Sequence, residues 1–214
     1  MALDGLPFIG AAGLVLIILG IIASFTGSNI IWGFTFAEGV LLLFIIFFFR
    51  DPDRVTPEGV GLVISAADGK VVVVKEASFP ELSDEKLIQV SVFLSVFDVH
   101  INRIPISGVV DEIKYYPGKF LAAWNEKASL ENEQTLISID TGSKKIYFKQ
   151  IAGLIARRIV WKLEPGQSVS AGERFGLIRF GSRVDILLPL NSEIRVKVGD
   201  KVKGGETVIG IIDV

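Results

Sequence analysis

Two apolar stretches at the N-terminus constrain this chain more than anything else in it. From Phe8 to Phe25 there is no charged residue, and from Ile30 to Phe49 the only one is Glu38. Each approaches the roughly 20 residues that cross a bilayer as a helix. Between them lies Thr26-Gly27-Ser28-Asn29, an uncharged turn sequence. The first stretch follows Asp4 rather than a basic flank and precedes no small-residue cleavage site, so it reads as a retained anchor and not a secretory signal. Arg50 and Arg54 come directly after the second stretch. The positive-inside tendency therefore assigns the remainder of the chain to the cytoplasmic face of the cell membrane.

Glu38 is the one charge inside this anchor, and a central acidic residue costs about 2.5–3.5 kcal/mol on insertion scales. Around 30 apolar neighbours, at a few tenths of a kcal/mol each, outweigh it. Glu38 reads as a tolerated or helix-paired residue. A hairpin that spans the bilayer and one sunk in a single leaflet both satisfy the pattern.

Asp51-Pro52-Asp53-Arg54, with Pro57 and Gly59, punctuates the chain after the anchor. The expected division is an anchor over residues 1–49 and a second domain over residues 50–214. Short runs rich in β-formers fill the second part: Leu62–Ser65, Val71–Lys75, Leu87–Leu94, Val109–Tyr115, Thr135–Asp140, Ile146–Gln150, Arg174–Arg179, Ile186–Leu188, Glu193–Val198 and Thr207–Ile212. Only Phe120–Leu130 carries a helical pattern. The fold class is mainly β, preceded by a hydrophobic helical hairpin.

An internal repeat supports that reading. Gly166-Gln-Ser-Val169-Ser-Ala-Gly172-Glu173-Arg-Phe-Gly176 matches Gly199-Asp-Lys-Val202-Lys-Gly-Gly205-Glu206-Thr-Val-Ile-Gly210. The glycines suit turns of positive φ and the valines suit a core plug. The spacing resembles the hammerhead-like turns of biotinyl and lipoyl domains.

Composition removes several chemistries. With a net charge of −2 and no long basic run, nothing points to nucleic acid. The absence of cysteine excludes disulfides, thiol nucleophiles and cysteine metal sites. His100, the only histidine, cannot build a multi-histidine zinc site. No metal is expected.

Four segments carry the remaining chemistry: Ala66-Ala67-Asp68-Gly69-Lys70, Phe97-Asp98-Val99-His100-Ile101-Asn102-Arg103-Ile104-Pro105, Tyr116-Pro117-Gly118-Lys119-Phe120 with Glu131-Asn132-Glu133-Gln134, and Phe180-Gly181-Ser182-Arg183-Val184-Asp185. Gly-Ser-Arg alone is an ordinary surface turn, and Asp68-Gly69 alone a hairpin turn. In this order, with Gln150-Ile151-Ala152-Gly153 and Ala156-Arg157-Arg158-Ile159, the chain resembles the phosphatidylserine decarboxylase family over residues 50 to 190. The likeness is strongest to its short branch, type A, which includes archaeal proenzymes acting on archaetidylserine.

The resemblance implies a proenzyme that cuts itself between Gly181 and Ser182 into a large chain, 1–181, and a small chain, 182–214. Ser182 becomes a covalently bound pyruvoyl group, the cofactor, which forms a Schiff base with the serine headgroup of a membrane phospholipid and releases CO2. A serine hydroxyl needs a base, and His100 is the one imidazole present. By resemblance Asp68 is the carboxylate that holds His100, ahead of Asp98, which lies two residues from it. Arg103 stands where longer members have a second histidine, so it and Lys119 become candidates for the substrate's phosphate or carboxylate, with a structural ion pair or a plain turn as the alternative. The family allows a homodimer. The rival expectation is a membrane-tethered adaptor that uses hammerhead turns for binding and performs no catalysis.

Overall fold

The computed structural model describes residues 1–119, 132–153, 159–179 and 181–213. The helical stretch expected at Phe120–Leu130 lies outside these residues, as do Glu131, Ala156, Arg157, Arg158 and Phe180 of the motifs. Contacts divide the chain into two compact units, Met1–Pro52 and Asp53–Val214.

The first unit is a helical hairpin. α1 (Leu6–Thr26) and α2 (Asn29–Phe48) run 21 and 20 residues, each about 30 Å at 1.5 Å per residue, the thickness of a bilayer core. α1 stops at Gly27, whose φ of 62° allows its N–H to cap the Ala23 carbonyl at 2.9 Å. Small residues face inward: Ala12 and Ala23 are buried, and Gly39 approaches Leu16. Most of the outer surface is large and apolar, with Ile17, Phe25, Ile30 and Phe36 each more than 60% exposed. In water such a surface is unfavourable at roughly 25 cal/mol per Å2, whereas in lipid it is at home. Glu38 is half-buried on α2.

Fourteen strands make up the described part of the second unit. An eight-stranded antiparallel sheet runs in the order β13 (Lys201–Val202), β2 (Gly69–Ala77), β3 (Leu87–Leu94), β11 (Ser182–Pro189), β7 (Lys145–Ile151), β6 (Gln134–Asp140), β5 (Gly108–Tyr116), β9 (Ser168–Val169). Two small sheets accompany it: β1 (Leu62–Ile64) with β14 (Val208–Ile211) and β12 (Glu193–Ile194), and β4 (Ile101–Arg103) with β10 (Arg174–Ile178) and β8 (Ile159–Trp161). Val184, Ile186 and Leu188 of β11 join Val90, Val92 and Leu94 of β3 and Phe148 of β7 in one core, against which Phe175 of β10 stacks edge-on at 5.3 Å from Phe148.

The sequence repeat becomes a pseudo-symmetric pair of sheet edges. β9 seals one end of the large sheet against β5, and β13 seals the other against β2. Matching bonds fix them: Gly166 N–H to the Val110 carbonyl, and Gly199 N–H to the Val71 carbonyl. Gly172 and Gly205 take φ values of 83° and 81°, where a side chain would be strained. Each two-residue strand covers the start of the edge it caps, Gly108 and Val109 of β5 and Gly69 and Lys70 of β2.

Several expected boundaries shift. β11 begins at Ser182 rather than Ile186, whereas the expected run Glu193–Val198 shortens to β12. β4, β8, β9 and β13 have no counterpart among the expected runs, two or three residues being too few to show alternation, whereas the equally short β1 falls within the expected Leu62–Ser65.

Candidate active site

Antiparallel pairing brings the start of β11 beside the end of β3, with Ser182 opposite Leu94. From Leu94 the chain turns through residues 95–99 and returns with His100 at the mouth of β4. Asp98 organises that turn: its carboxylate accepts from the Ser95 N–H at 2.8 Å and from the Ser95 hydroxyl at 2.7 Å. Its carbonyl accepts from His100 Nδ1 at 2.9 Å.

That last bond sets the tautomer. A carbonyl oxygen can only accept, so Nδ1 carries the proton and Nε2 presents its lone pair. The Gly181 N–H donates to Nε2 over a long 3.4 Å. The only imidazole thus contacts the residue preceding Ser182, with its basic nitrogen on that side. Gly181 takes a φ of 63° and has open space where a Cβ would sit. Its lack of a side chain therefore answers a backbone requirement and leaves the carbonyl approachable.

Ser182 is fully buried, and its hydroxyl has no hydrogen-bond partner among the described residues. Being on β11 it shares a face with Val184, Ile186 and Leu188, so the hydroxyl points toward the core. A buried unbonded hydroxyl costs about 1–3 kcal/mol. No metal-binding cluster of His, Asp and Glu occurs among the described residues.

Asp68 does not hold His100 in this structure. Its Oδ2 pairs with Arg54 at 2.7 Å, and its Oδ1 accepts the Gly204 N–H at 2.8 Å. Burial pushes the Asp68 carboxyl above its ordinary value, while Gly204 and Arg54 oppose that rise. Arg54 also reaches Glu206 at 3.4 Å, so the residue read from sequence as a topological charge is a clamp on two carboxylates. The acceptor for the histidine is instead the Asp98 main chain.

Arg103 is buried, and its guanidinium donates to the Gly172 carbonyl at 2.9 Å inside the repeat turn. Lys119 is exposed, bridged to Asn132. The Asn132 amide donates to the Ala152 carbonyl at 2.7 Å, and Ala152 follows the β7 residue Ile151 that pairs with Arg183. Lys119 is therefore tied through Asn132 and Ala152 to the strand flanking the serine.

Two polar arrangements escaped the sequence reading. On the far face of β11, Arg183 grips Asp185 through Nε–Oδ1 at 2.7 Å and Nη2–Oδ2 at 2.9 Å, with Gln89 donating to Asp185 at 2.9 Å. Spacing of two along a strand was the available signal, since it puts both on one face. On the serine face, Thr135, Gln150 and Asn102 form a buried chain of hydrogen bonds. Asn102 lies two residues after His100, a period that invites notice once β4 is known.

The phosphatidylserine decarboxylase family model matches residues 41–210. A phosphatidylserine decarboxylase proenzyme of Geotalea uraniireducens (strain Rf4) is 44% identical over 213 residues, covering 99% of this chain and 96% of the relative. One from a Wolbachia sp. (subsp. Brugia malayi, strain TRS) is 48% identical over 213 residues, covering 95% and 91%. One from Desulfotalea psychrophila is 44% identical over 213 residues, covering 99% and 96%.

Proposed function

The chain belongs to the phosphatidylserine decarboxylase family, and on that premise we propose that it cuts itself between Gly181 and Ser182 and then decarboxylates the serine headgroup of phosphatidylserine in a membrane. It is a lyase of phospholipid biosynthesis made as a proenzyme. The observation that carries the reading is the buried Ser182 hydroxyl, without a partner among the described residues, next to Gly181, whose N–H meets His100 Nε2.

Self-cleavage balances without an outside reagent until its last step. His100 Nε2 takes the Ser182 Oγ proton, and Oγ adds to the Gly181 carbonyl. The 3.4 Å contact lies one residue short of the hydroxyl, so a serine rotamer change must bring Oγ to the imidazole; such bonds are often loose before reaction. Collapse of the adduct breaks the Gly181 C–N bond, the nitrogen gains a proton and an ester links the two parts. Loss of the Ser182 α-proton then expels the Gly181 carboxylate. Addition of water and release of ammonia leave a pyruvoyl group at the start of the small chain, 182–214, with 1–181 as the large chain.

The pyruvoyl ketone supplies an electron sink toward which the breaking carbon–carboxylate bond can shed its electrons. Pairing of β11 with β3 and β7 holds that residue in register. His100 is positioned to return the proton to carbon. Asp68, clamped by Arg54, keeps a carboxylate near the site, and we assign it to self-cleavage through the local charge rather than through a bond to His100. Lys119 and Arg103 remain the proposed contacts for the headgroup phosphate or carboxylate.

The two apolar helices suit an enzyme whose substrate does not leave the bilayer, and Arg50 and Arg54 favour a cytoplasmic catalytic unit. An ether-linked archaetidylserine would present the same headgroup chemistry; the relatives' names favour the phosphatidyl substrate. Mass analysis on a denaturing gel tests the reading. Wild type should give a fragment starting at position 182 that lacks ammonia, and Ser182→Ala should stay whole. A wild-type chain that remains intact under all conditions overturns it.

A further inference from the structure

Asn102, Gln150 and Thr135 are all completely buried. The Thr135 hydroxyl donates to Gln150 Oε1 at 2.8 Å, and Gln150 Nε2 donates to Asn102 Oδ1 at 2.8 Å. The order is directional. With its oxygen taken by Thr135, Gln150 must offer its NH2, so Asn102 must accept through oxygen and turn its own NH2 onward. That NH2 has no partner among the described residues.

An amide donor left unpaired in a core costs about 1–3 kcal/mol, and native interiors rarely keep one. Two placements say where it faces. Gln150 on β7 lies directly opposite Val184 on β11, so it shares the face of Ser182, two residues earlier. Asn102 accepts from Gln150, so its amide lies against that same face. The Asn102 amide and the Ser182 hydroxyl, both without a partner among the described residues, therefore lie on the same face of the β7–β11 pair.

We propose that Asn102 is the oxyanion donor of self-cleavage. As Ser182 Oγ bonds to the Gly181 carbon and its proton passes to His100, the carbonyl π electrons move onto the Gly181 oxygen. Asn102 Nδ2 donates to that oxygen. A neutral amide suits the task, because its bond strengthens as charge develops and it does not stabilise the neutral carbonyl equally. The chain from Thr135 acts earlier, by fixing which end of Asn102 faces the serine.

The proposal rests on the self-cleavage reading, and one time course separates the two. Wild type, Asn102→Ala, Asn102→Leu and Gln150→Met are synthesised in a cell-free system, and the loss of whole chain is followed by gel and mass spectrometry. Circular dichroism reports folding. Removing one oxyanion donor slows reaction about 100-fold or more, and that loss is expected for Asn102→Ala. Asn102→Leu keeps the volume but has no donor, and should be as slow. Gln150→Met keeps Asn102 but removes the donor that orients it, and should slow cleavage by a smaller factor with the volume kept. If Asn102→Ala does not fold, the two near-isosteric variants decide. Wild-type cleavage rates in Asn102→Leu or Gln150→Met overturn the proposal, as does normal cleavage with only lipid turnover reduced. An uncut wild type instead overturns the parent reading.

Discussion

His100 and Gly181 lie 81 positions apart in sequence, yet the imidazole Nε2 receives the glycine's backbone N–H at 3.4 Å. The Asp98 carbonyl on Nδ1 makes Nε2 the basic nitrogen. The loop that delivers the histidine thus also sets its tautomer.

Replacing His100 should arrest maturation. His100→Ala and His100→Gln are both expected to slow self-cleavage by about 10²- to 10⁴-fold, the range for a lost general base. Gln can still accept the Gly181 N–H but cannot take the Ser182 proton. Rapid cleavage of His100→Gln, followed by gel, would assign the ring a purely structural role.

Arg54 should tune the site through Asp68. Burial raises the Asp68 carboxyl and Arg54 lowers it, so Arg54→Met removes a lowering influence and the carboxyl titrates at higher pH. At a given pH less Asp68 is then ionised. The acid limb of the cleavage rate against pH is expected to move upward in Arg54→Met, and to stay where it is in Glu206→Gln if Asp68 is the group that matters.

The Arg183–Asp185 pair should behave as a buried ion pair. Both side chains are at most 2% exposed, so removing one partner strands a charge at about 3–5 kcal/mol. Asp185→Leu in an uncut Ser182→Ala background should therefore lower the denaturation midpoint sharply. Adding Arg183→Met should recover much of the loss, as measured by urea unfolding.

The anchor should matter for substrate rather than for maturation. Removing residues 1–49 leaves Arg54 and the whole core of the second unit in place. The shortened chain is expected to cleave itself at the normal rate but to turn over long-chain lipid in vesicles more slowly. Equal turnover on vesicles would reduce the helices to an address.

Much of this molecule was legible in order along the chain. Hydropathy gave both helices, because a bilayer span is a local property of about 20 residues. Period-two runs gave most strands, and β3 was expected with its observed bounds, Leu87–Leu94. Short ordered motifs singled out Gly181, Ser182 and His100. β11 was read as starting four residues late, since Gly-Ser-Arg-x-Asp has the composition of a turn. Only the mutual burial of Arg183 and Asp185 makes those charges tolerable in a central strand.

Sequence by itself determined the two apolar helices, the β class, the repeat and the residue types available for chemistry, all of which depend on neighbours in the chain. The tertiary structure alone decided partners. It gave Asp68 to Arg54 and Gly204, turned the Asp98 main chain to His100, and left the Asn102 amide donor without a partner among the described residues. Hydrogen bonds act over about 3 Å, and no local pattern states which residues distant in sequence will come that close.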